Sequence, residues 1–402
     1  MPVDPARRGL FTDRGMIYLD ANATTPPDPS AVEAMLPFLG ARFGNPSAAH
    51  APGRQARRAI EQARTSVAAL LGAEPDEIVF TSGGTEGINA VHLGARAEWS
   101  DRPVLVTGAA EHAAGLECAR RWQRSGGEVR TVAVDRQGLL QPDSLRAALV
   151  PGRTALVSLL WANNETGTIA PMRELVDIAH AAGAAVHADA VQAAGKLPLN
   201  LREVPVDYLS LSGHKMHAPQ GIGALFIRRR AAFQPLLLGG GQENGRRSGT
   251  ENLPGAVALG RAAELALAAL PTAATEMTRL RDRLEAGLLA GVPEAVVHGL
   301  GAPRLPNTSS IAFPGTDSAG LLILLDQQGL CCSGGSACHS AALHPSHVLE
   351  AMGFDATHAA STLRFSLSRF TTEAEIDAAI PLILGAVHKL RALQAGPAVL
   401  IA

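Results

Sequence analysis

Seven short apolar runs, separated by longer helical stretches, occupy the middle of the chain. They cover residues 78–80, 103–107, 128–134, 154–161, 184–189, 206–212 and 222–228. Strands that alternate with helices build a mostly parallel sheet covered by those helices. The pattern therefore predicts an α/β fold around a mostly parallel, seven-stranded sheet.

The chain is long enough for more than one domain. Its 402 residues exceed what a single hydrophobic core usually supports. Beyond residues 252–255, a long alanine- and leucine-rich amphipathic helical region is followed by shorter strand and helix signals. We expect a large α/β domain over residues 16–258 and a smaller α+β domain over residues 259–402, which also takes residues 1–15.

Composition indicates a globular protein that does not bind nucleic acid directly. Hydrophobic residues make up 47% of the chain, and the net charge is −2 without a basic stripe. The N-terminus has no apolar stretch of signal-peptide length, and the alanine-rich run at 263–270 is too short to span a bilayer. Four cysteines fit a reducing compartment, so we expect a soluble, cytoplasmic protein with free thiols.

Lys215 and Asp189 each follow or end an apolar run. Ligands of open α/β sheets bind at the carboxyl ends of the strands, so both residues are expected at a binding edge. Pyridoxal phosphate (PLP) requires a lysine to which it attaches and an acid that keeps its ring nitrogen protonated. The pair therefore indicates PLP, although a loop lysine taken alone is usually a solvated surface residue.

The segment TSGGTEGIN, residues 81–89, is typical of an anion site. It leads from a strand through two glycines into a helix N-terminus, where free N–H groups and the helix dipole favour a phosphate. Gly83 and Gly84 allow close approach, and Thr85 adds a hydroxyl. The alternative is a tight turn in which Ser82 and Thr85 serve as capping residues. The segment lacks the GxxxxGK[ST] pattern, which disfavours a nucleoside triphosphate.

The ordered motifs of the chain resemble those of cysteine desulfurases of the NifS/IscS type, which are class V aminotransferases with the PLP-dependent transferase fold type I. The resemblance covers nearly the whole chain. Its motifs are YLDANATTP, GNPSAAH, TSGGTE, AEHAA, NNETG, HADAVQ, SGHK, RRSGTEN, SGGSACHS and LRFSLSRF. It implies the conversion of L-cysteine to L-alanine, with sulfur passed on for iron–sulfur cluster assembly or tRNA thiolation.

The resemblance implies roles for residues around the cofactor ring. Lys215 is similar to the lysine that attaches PLP and moves protons, and Asp189 to the acid that pairs with the ring nitrogen. His112 is similar to the residue that stacks on the ring and takes part in proton transfer. Gln192 and Asn164 resemble residues that contact the ring hydroxyl oxygen. Taken singly, each of these polar residues is also compatible with a turn or capping role.

The same resemblance implies how the phosphate is held. Together with the turn at Gly84, the side chains of Thr85, Ser212 and His214 are similar to phosphate ligands of the family. Thr250 resembles a residue that reaches the phosphate from the second subunit, which implies a homodimer.

Arg364 and Cys338 are the residues expected to act on the substrate. Arg364 is similar to the arginine that binds the substrate α-carboxylate together with Asn164, whereas we interpret Arg369 as structural. Cys338, in a segment rich in glycine, serine and alanine, resembles the nucleophile that takes the sulfur as a persulfide. We interpret Cys118 as a buried, inert thiol.

Three alternatives remain open from the sequence. A metal site that uses Cys331, Cys332, Cys338 and His339 is disfavoured because the segment contains no CxxC pair, and we expect no metal. A selenocysteine lyase or a cysteine sulfinate desulfinase would share the cofactor motifs. A non-catalytic sulfur or iron–sulfur carrier would use the cysteines alone. The expected partners are a second subunit and a sulfur-acceptor or scaffold protein, with no membrane.

Overall fold

The computed structural model describes residues 15–334 and 346–395. Within them the strands are β1 (Ile17–Tyr18), β2 (Ile78–Thr81), β3 (Val104–Gly108), β4 (Glu128–Val132), β5 (Thr154–Leu160), β6 (Ala185–Asp189), β7 (Tyr208–Ser212), β8 (Gly223–Ile227), β9 (Val296–Val297), β10 (Thr308–Ala312), β11 (Leu330–Cys331), β12 (Ser333–Gly334) and β13 (Thr362–Ser366). The α-helices are α1 (Pro29–Met35), α2 (Ala51–Leu71), α3 (Gly84–Glu98), α4 (Ala113–Arg124), α5 (Pro142–Ala148), α6 (Met172–Ala181), α7 (Leu253–Gly291), α8 (Ser318–Asp326), α9 (His347–Ala351), α10 (Ala356–Ala360) and α11 (Glu373–Ala395).

All seven apolar runs form one sheet, as predicted. Its strand order is β2-β8-β7-β6-β5-β3-β4, and β8 alone runs against the other strands. The strand ends differ from the predicted ends by one or two residues. The α/β class with a mostly parallel sheet is therefore confirmed.

Helices cover both faces of this sheet. On one face, strand residues such as Val157 and Val186 pack in a core shared with α2, α6 and the first part of α7. On the other face, Leu105 and Leu156 pack with residues of α3 and α4, including Trp122. Burial of these apolar side chains is the main favourable term that holds the layers together.

A second core lies outside the seven-stranded sheet. It joins the end of α7 to α8 and α11 around strands β10 and β13 of a smaller antiparallel sheet, ordered β12-β13-β10-β9. Ile17 and Leu19 also pack in this core, and β1 pairs with β11. These elements agree with the predicted smaller α+β part.

Helix α7 connects the two cores. Its first half contributes Leu259 and Ala263 to the core of the large sheet, and its second half contributes Leu284 to the second core. The predicted boundary after residue 258 falls inside this helix, and the exact division into domains stays a prediction.

The alanine-rich run at 263–270 belongs to this longer helix. The run itself is too short to span a bilayer, but by length and composition alone the 39 residues of α7 could cross a membrane. Half of its most apolar window is buried inside the protein. At Gly260 a Cβ would come within 2.6 Å of the Ala63 Cα, which shows how closely α2 and α7 pack. Both features are typical of a core helix.

Candidate active site

Five strands deliver the predicted site residues to one edge of the seven-stranded sheet. The segments after β2, β3, β5, β6 and β7 carry, in that order, Gly84, His112, Asn164, Gln192 and Lys215. Because these strands run in the same direction, their carboxyl ends meet at one edge. The structure therefore brings together segments that lie far apart in the sequence.

Lys215 lies in a 3-10 turn, Gly213–Lys215, that begins directly after β7. Its Nζ donates to the backbone carbonyls of Asn22 and Ala23, each at 2.6 Å. Both carbonyls belong to the segment that follows β1. The half-buried lysine thus joins the edge of the large sheet to the N-terminal segment.

Asp189 is the last residue of β6 and is buried. Its Oδ1 accepts a hydrogen bond from the Val191 N–H at 3.0 Å. Burial raises the pKa of this carboxyl, and the hydrogen bond from Val191 and the nearby His112 and Lys215 oppose that rise. The acid, the histidine and the lysine predicted from the sequence are therefore neighbours, and a bound cation would stabilise the carboxylate.

His112 is the N-cap of α4. Its Nδ1 accepts a hydrogen bond from the Ala114 N–H at 3.1 Å, so the neutral ring carries its proton on Nε2. The preceding Glu111 is buried, and its Oε1 accepts from the Leu160 N–H at 2.9 Å. Burial raises the pKa of Glu111 well above its ordinary value, which favours a neutral acid beside Asp189.

The predicted phosphate turn leads from β2 into α3. Gly83 is the N-cap of this helix and no side chain caps it, so its first N–H groups are available to an anion. The alternative in which Ser82 caps the helix is not formed, because no side chain makes a capping hydrogen bond there; the Ser82 N–H donates to Glu86 Oε2 at 2.8 Å. A Cβ at Gly84 would come within 2.5 Å of Val191 Cγ2. Thr85 is exposed at the same helix end.

Ser212 and His214 flank this turn from β7. Ser212 Oγ would lie 3.6 Å from a Cβ placed on Gly83. Thr24 Oγ1 lies 3.0 Å from His214 Nδ1. Burial, together with the positive charge of Lys215, lowers the pKa of His214 to about 4. The imidazole is therefore neutral at physiological pH and able to donate one hydrogen bond.

Thr250 is exposed. Within residues 15–334 and 346–395 of a single chain, it forms no hydrogen bond with Thr85, Ser212 or His214. One chain alone therefore does not join Thr250 to the predicted phosphate residues.

Arg364 lies on β13, opposite the carboxyl edge of the large sheet, and is 2% exposed. Its Nη2 donates to Asp20 Oδ1 at 2.8 Å and its Nη1 to the Asn164 carbonyl at 3.1 Å. Its Nε has no hydrogen-bond partner in the described part of the chain. By contrast, Arg369 donates to Asp28 at 2.6 Å and lies over the Phe370 ring, which agrees with the structural role expected for it.

The cysteines divide into described and undescribed residues. Cys338 lies outside the described residues, within 335–345. Cys118 is buried in α4, and burial raises the pKa of its thiol to about 11, which disfavours the reactive thiolate. Burial also raises the pKa values of Cys331 and Cys332. In the two described ranges, no three His, Cys, Asp or Glu side chains are grouped so that they could hold a metal ion.

Asn22 is a central residue of the site that the sequence did not assign. Its Nδ2 donates to the Asn164 carbonyl at 3.1 Å, and its backbone carbonyl accepts from Gln192 Nε2 at 3.0 Å and from Lys215. Its Oδ1 accepts from Lys196 Nζ at 3.1 Å. The motif YLDANATTP contains Asn22, but nothing in that motif indicates these long-range contacts.

Glu165 is a second unassigned residue. It is buried and accepts a hydrogen bond from Ser346 Oγ, the first described residue after the segment that carries Cys338. Burial raises the pKa of Glu165 to about 7, against the opposing effects of Ser346, Arg364 and His112. Next to Ser346, His347 Nε2 lies 2.9 Å from the Glu111 carbonyl. The segments after β3 and β5, which carry Glu111 and Glu165, therefore both contact the chain just after residue 345.

The described residues fit an anionic, ring-bearing cofactor and an amino-acid carboxylate. The uncapped start of α3 can accept a phosphate, the buried Asp189 can pair with a cationic ring nitrogen, and Lys215 offers an amine between them. The unpartnered Nε of Arg364 leaves a donor for a carboxylate.

Comparisons with known proteins identify the family of the chain. The model of the family described as aminotransferase class V matches residues 17–379. A cysteine desulfurase of Nostoc sp. is 50% identical over 379 residues, which are 94% of this chain and 94% of that protein. A cysteine desulfurase of Cereibacter sphaeroides is 51% identical over 380 residues, covering 94% of this chain and 97% of that protein.

Two solved structures extend the similarity to the fold. A NifS-like protein has a TM-score of 0.87 and 38% identity, covering 93% of this chain and all of that one. A NifS-like protein from Rickettsia africae has a TM-score of 0.83 and 32% identity, covering 93% and 99% of the two chains. The chain therefore belongs to the class V aminotransferase family and, within it, to the cysteine desulfurases.

Proposed function

We propose that the protein is a PLP-dependent cysteine desulfurase that converts L-cysteine to L-alanine and takes the sulfur onto Cys338 as a persulfide. One arrangement carries the proposal: Asp189, His112 and Lys215 are neighbours at one sheet edge, and the buried Nε of Arg364 has no partner among the described residues. The similarity to cysteine desulfurases over 94% of the chain supports the same activity.

Bound PLP would draw electrons away from the α-carbon of an attached amino acid. Lys215 would hold the cofactor, and its amine would accept the α-proton of the substrate and return it. Asp189 would keep a proton on the ring nitrogen, because a buried carboxylate favours a cation beside it. His112 would contact the ring and move protons through Nε2, and Gln192 and Asn164 would contact the ring hydroxyl oxygen.

The phosphate belongs at the start of α3, with Gly84, Thr85, Ser212 and His214 as its ligands in this chain. The uncapped helix end and the neutral His214 support this assignment. Thr250 serves the phosphate of a second subunit, which requires a homodimer.

Exposed apolar side chains support the homodimer. Leu39, Phe43 and Leu238 are 63%, 73% and 82% exposed in the single chain. Large apolar groups left in water favour a partner surface.

Arg364 and Asn164 orient the substrate. A planar guanidinium binds a carboxylate through two parallel hydrogen bonds, and the free Nε gives Arg364 one such donor in addition to its Nη groups. Because Nη1 already contacts the Asn164 carbonyl at 3.1 Å, the two residues hold the substrate carboxylate from adjoining positions.

The transfer of sulfur from L-cysteine to Cys338 balances in atoms and electrons. The Cys338 thiolate attacks the substrate sulfur, so that an S–S bond forms as the substrate C–S bond breaks. The electron pair of that C–S bond remains on the carbon fragment, which takes up protons to become L-alanine. L-cysteine and one thiol thus give L-alanine and one persulfide, which a sulfur-acceptor protein consumes. We place this reaction in the cytoplasm, since free thiols persist in a reducing compartment.

Release of alanine and sulfide from L-cysteine tests the function. The assay contains PLP and a thiol reductant, and compares the wild type with Cys338→Ala, Lys215→Ala and, as a matched control, Cys118→Ala. We expect equal amounts of alanine and sulfide from the wild type and Cys118→Ala, and neither product from the other two variants.

Other outcomes would contradict the proposal in distinct ways. Activity on L-cysteine that persists in Cys338→Ala would indicate a lyase that uses no protein thiol, as in a selenocysteine lyase or a sulfinate desulfinase. A wild type that binds no PLP and releases no alanine would indicate a sulfur carrier without catalysis.

A further inference from the structure

Lys196 is a second lysine within the site, and no role has been assigned to it above. It is 6% exposed, and its Nζ donates to Gln192 Oε1 at 2.6 Å and to Asn22 Oδ1 at 3.1 Å. Lys215 contacts the backbone carbonyl of the same Asn22. The two lysines are therefore separated by a single asparagine.

The use of lysine at this position is itself informative. Only three of the 35 Lys and Arg residues are lysines: Lys196, Lys215 and the exposed Lys389. Arginine cannot lose its proton in a protein, whereas a buried lysine can. A chain in which 32 of the 35 Lys and Arg residues are arginine thus has, at both of the positions that contact Asn22, the cationic side chain that can become neutral.

The contacts of Lys196 fit a neutral amine. Burial lowers its pKa well below the ordinary value, and the positive charges of Lys215 and Arg364 lower it further. No carboxylate forms an ion pair with it within residues 15–334 and 346–395. A neutral amine has two N–H groups, and Lys196 has two amide oxygens as acceptors, so both groups are satisfied.

These contacts determine which end of the Gln192 amide faces Lys215. With Oε1 held by Lys196, Nε2 donates to the Asn22 carbonyl at 3.0 Å, the same oxygen that Lys215 contacts at 2.6 Å. The reversed amide would place its oxygen against that carbonyl, so that two buried acceptors would face each other, and the Lys196 amine would lose its acceptor on Gln192.

We propose that Lys196 is a positioning residue that orients Gln192, so that the amide nitrogen donates toward the ring oxygen of the cofactor held by Lys215. The proposal rests on the proposed function, because it assumes that PLP binds at Lys215. Lys196 acts on the cofactor through Gln192 rather than by direct contact. Its effect is therefore expected in the titration of the cofactor rather than in folding.

The test is the pH at which the near-visible absorption of the PLP-loaded protein changes, measured for Lys196→Met, Gln192→Leu and the double variant. A donor stabilises the ring oxygen as an anion, so we expect its loss to raise the midpoint by about one pH unit in either single variant. The double variant should show the same shift and not the sum, because both changes remove one interaction. Lys389→Met, which makes the same substitution at the surface, should keep the wild-type midpoint.

Lys196→Gln distinguishes an effect of the Gln192 orientation from an effect of the Lys196 amine itself. Its amide can still donate to Gln192 Oε1, so the midpoint should stay near the wild-type value. If Lys196→Gln shifted the midpoint as much as Lys196→Met does, the amine itself would act on the cofactor. Additive midpoint shifts in the double variant would lead to the same conclusion. Either result overturns the proposal. An unchanged midpoint in folded Lys196→Met would also overturn it. If the wild type shows no near-visible band with PLP, the proposed function fails first.

Discussion

Two buried arginines in this molecule are paired in opposite ways. Arg64 forms a two-pronged pair with Glu243, at 2.6 and 2.9 Å, and also donates to the Ile78 carbonyl at 2.7 Å. Arg364 is as deeply buried, yet it makes one contact with Asp20 and one with a carbonyl, and its Nε has no partner in the described residues. A saturated arginine serves the fold, whereas an unsaturated one at a sheet edge leaves donors for a ligand.

The largest expected effect is on the free energy of unfolding, when the fully paired Arg64 is replaced. Arg64→Met should lower the free energy of unfolding by about 3–5 kcal/mol, since it leaves the buried Glu243 charge without its partner. Chemical denaturation measures this change. The exposed pair of Arg120 and Glu117 provides the control, because Arg120→Met should change stability little. Equal effects of the two substitutions would show that Arg64 is no more structural than a surface residue.

The next effect concerns the unsaturated arginine. Arg364→Lys keeps a positive charge but loses the planar fork, and we expect kcat/KM for L-cysteine to fall about 100-fold, mainly through KM. Arg369→Lys is the matched control, since Arg369 is paired with Asp28, and it should change kcat/KM by no more than a few-fold. A larger loss in Arg369→Lys than in Arg364→Lys would reverse the assignment of the two residues.

A pH effect of intermediate size is expected at Glu165. Its pKa is raised to about 7 in the folded protein, so the native state binds more protons than the unfolded state between about pH 4.5 and 7. This contribution to stability is present at low pH and is lost as the pH rises through 7, a change of about 3 kcal/mol. Glu165→Gln should remove that change from a pH series of denaturation curves. An identical pH dependence in both proteins would contradict the assignment.

The smallest effect is expected at Cys118. Cys118→Ala removes one buried sulfur far along α4 and should cost about 1 kcal/mol of stability. Alanine release from L-cysteine should remain within about two-fold of wild type, because the high pKa keeps this thiol protonated. A loss of more than ten-fold in that assay would give Cys118 a part in the reaction.

The apolar runs of the sequence predicted both the strands of the sheet and several residues at its ligand-binding edge. Buried parallel strands are short apolar runs, so the residue after each run lies at the edge where ligands bind. Lys215 and Asp189 could therefore be found along the chain, shortly after a strand or at its end, whereas His112 was identified only from the resemblance to the family. The motifs of the family then supplied roles that position alone does not give.

The remaining contacts have no local signal. Arg364 and its partner Asp20 are 344 residues apart, and the Lys196–Asn22 contact spans 174 residues. Such pairs form only when the second core docks against the edge of the large sheet. The domain boundary has no local signal either: α7 runs through residue 258, where the boundary was predicted, and contributes residues to both cores.

Identification of the lysine that carries the cofactor tests the account most directly. Borohydride reduction of the PLP-loaded protein fixes the cofactor to its lysine, and peptide mass spectrometry then locates it among only three candidates. We predict one label per chain, on the peptide that contains Lys215, with none on Lys196 or Lys389. A label on Lys196, or no label in a protein that still releases alanine from L-cysteine, would contradict the account.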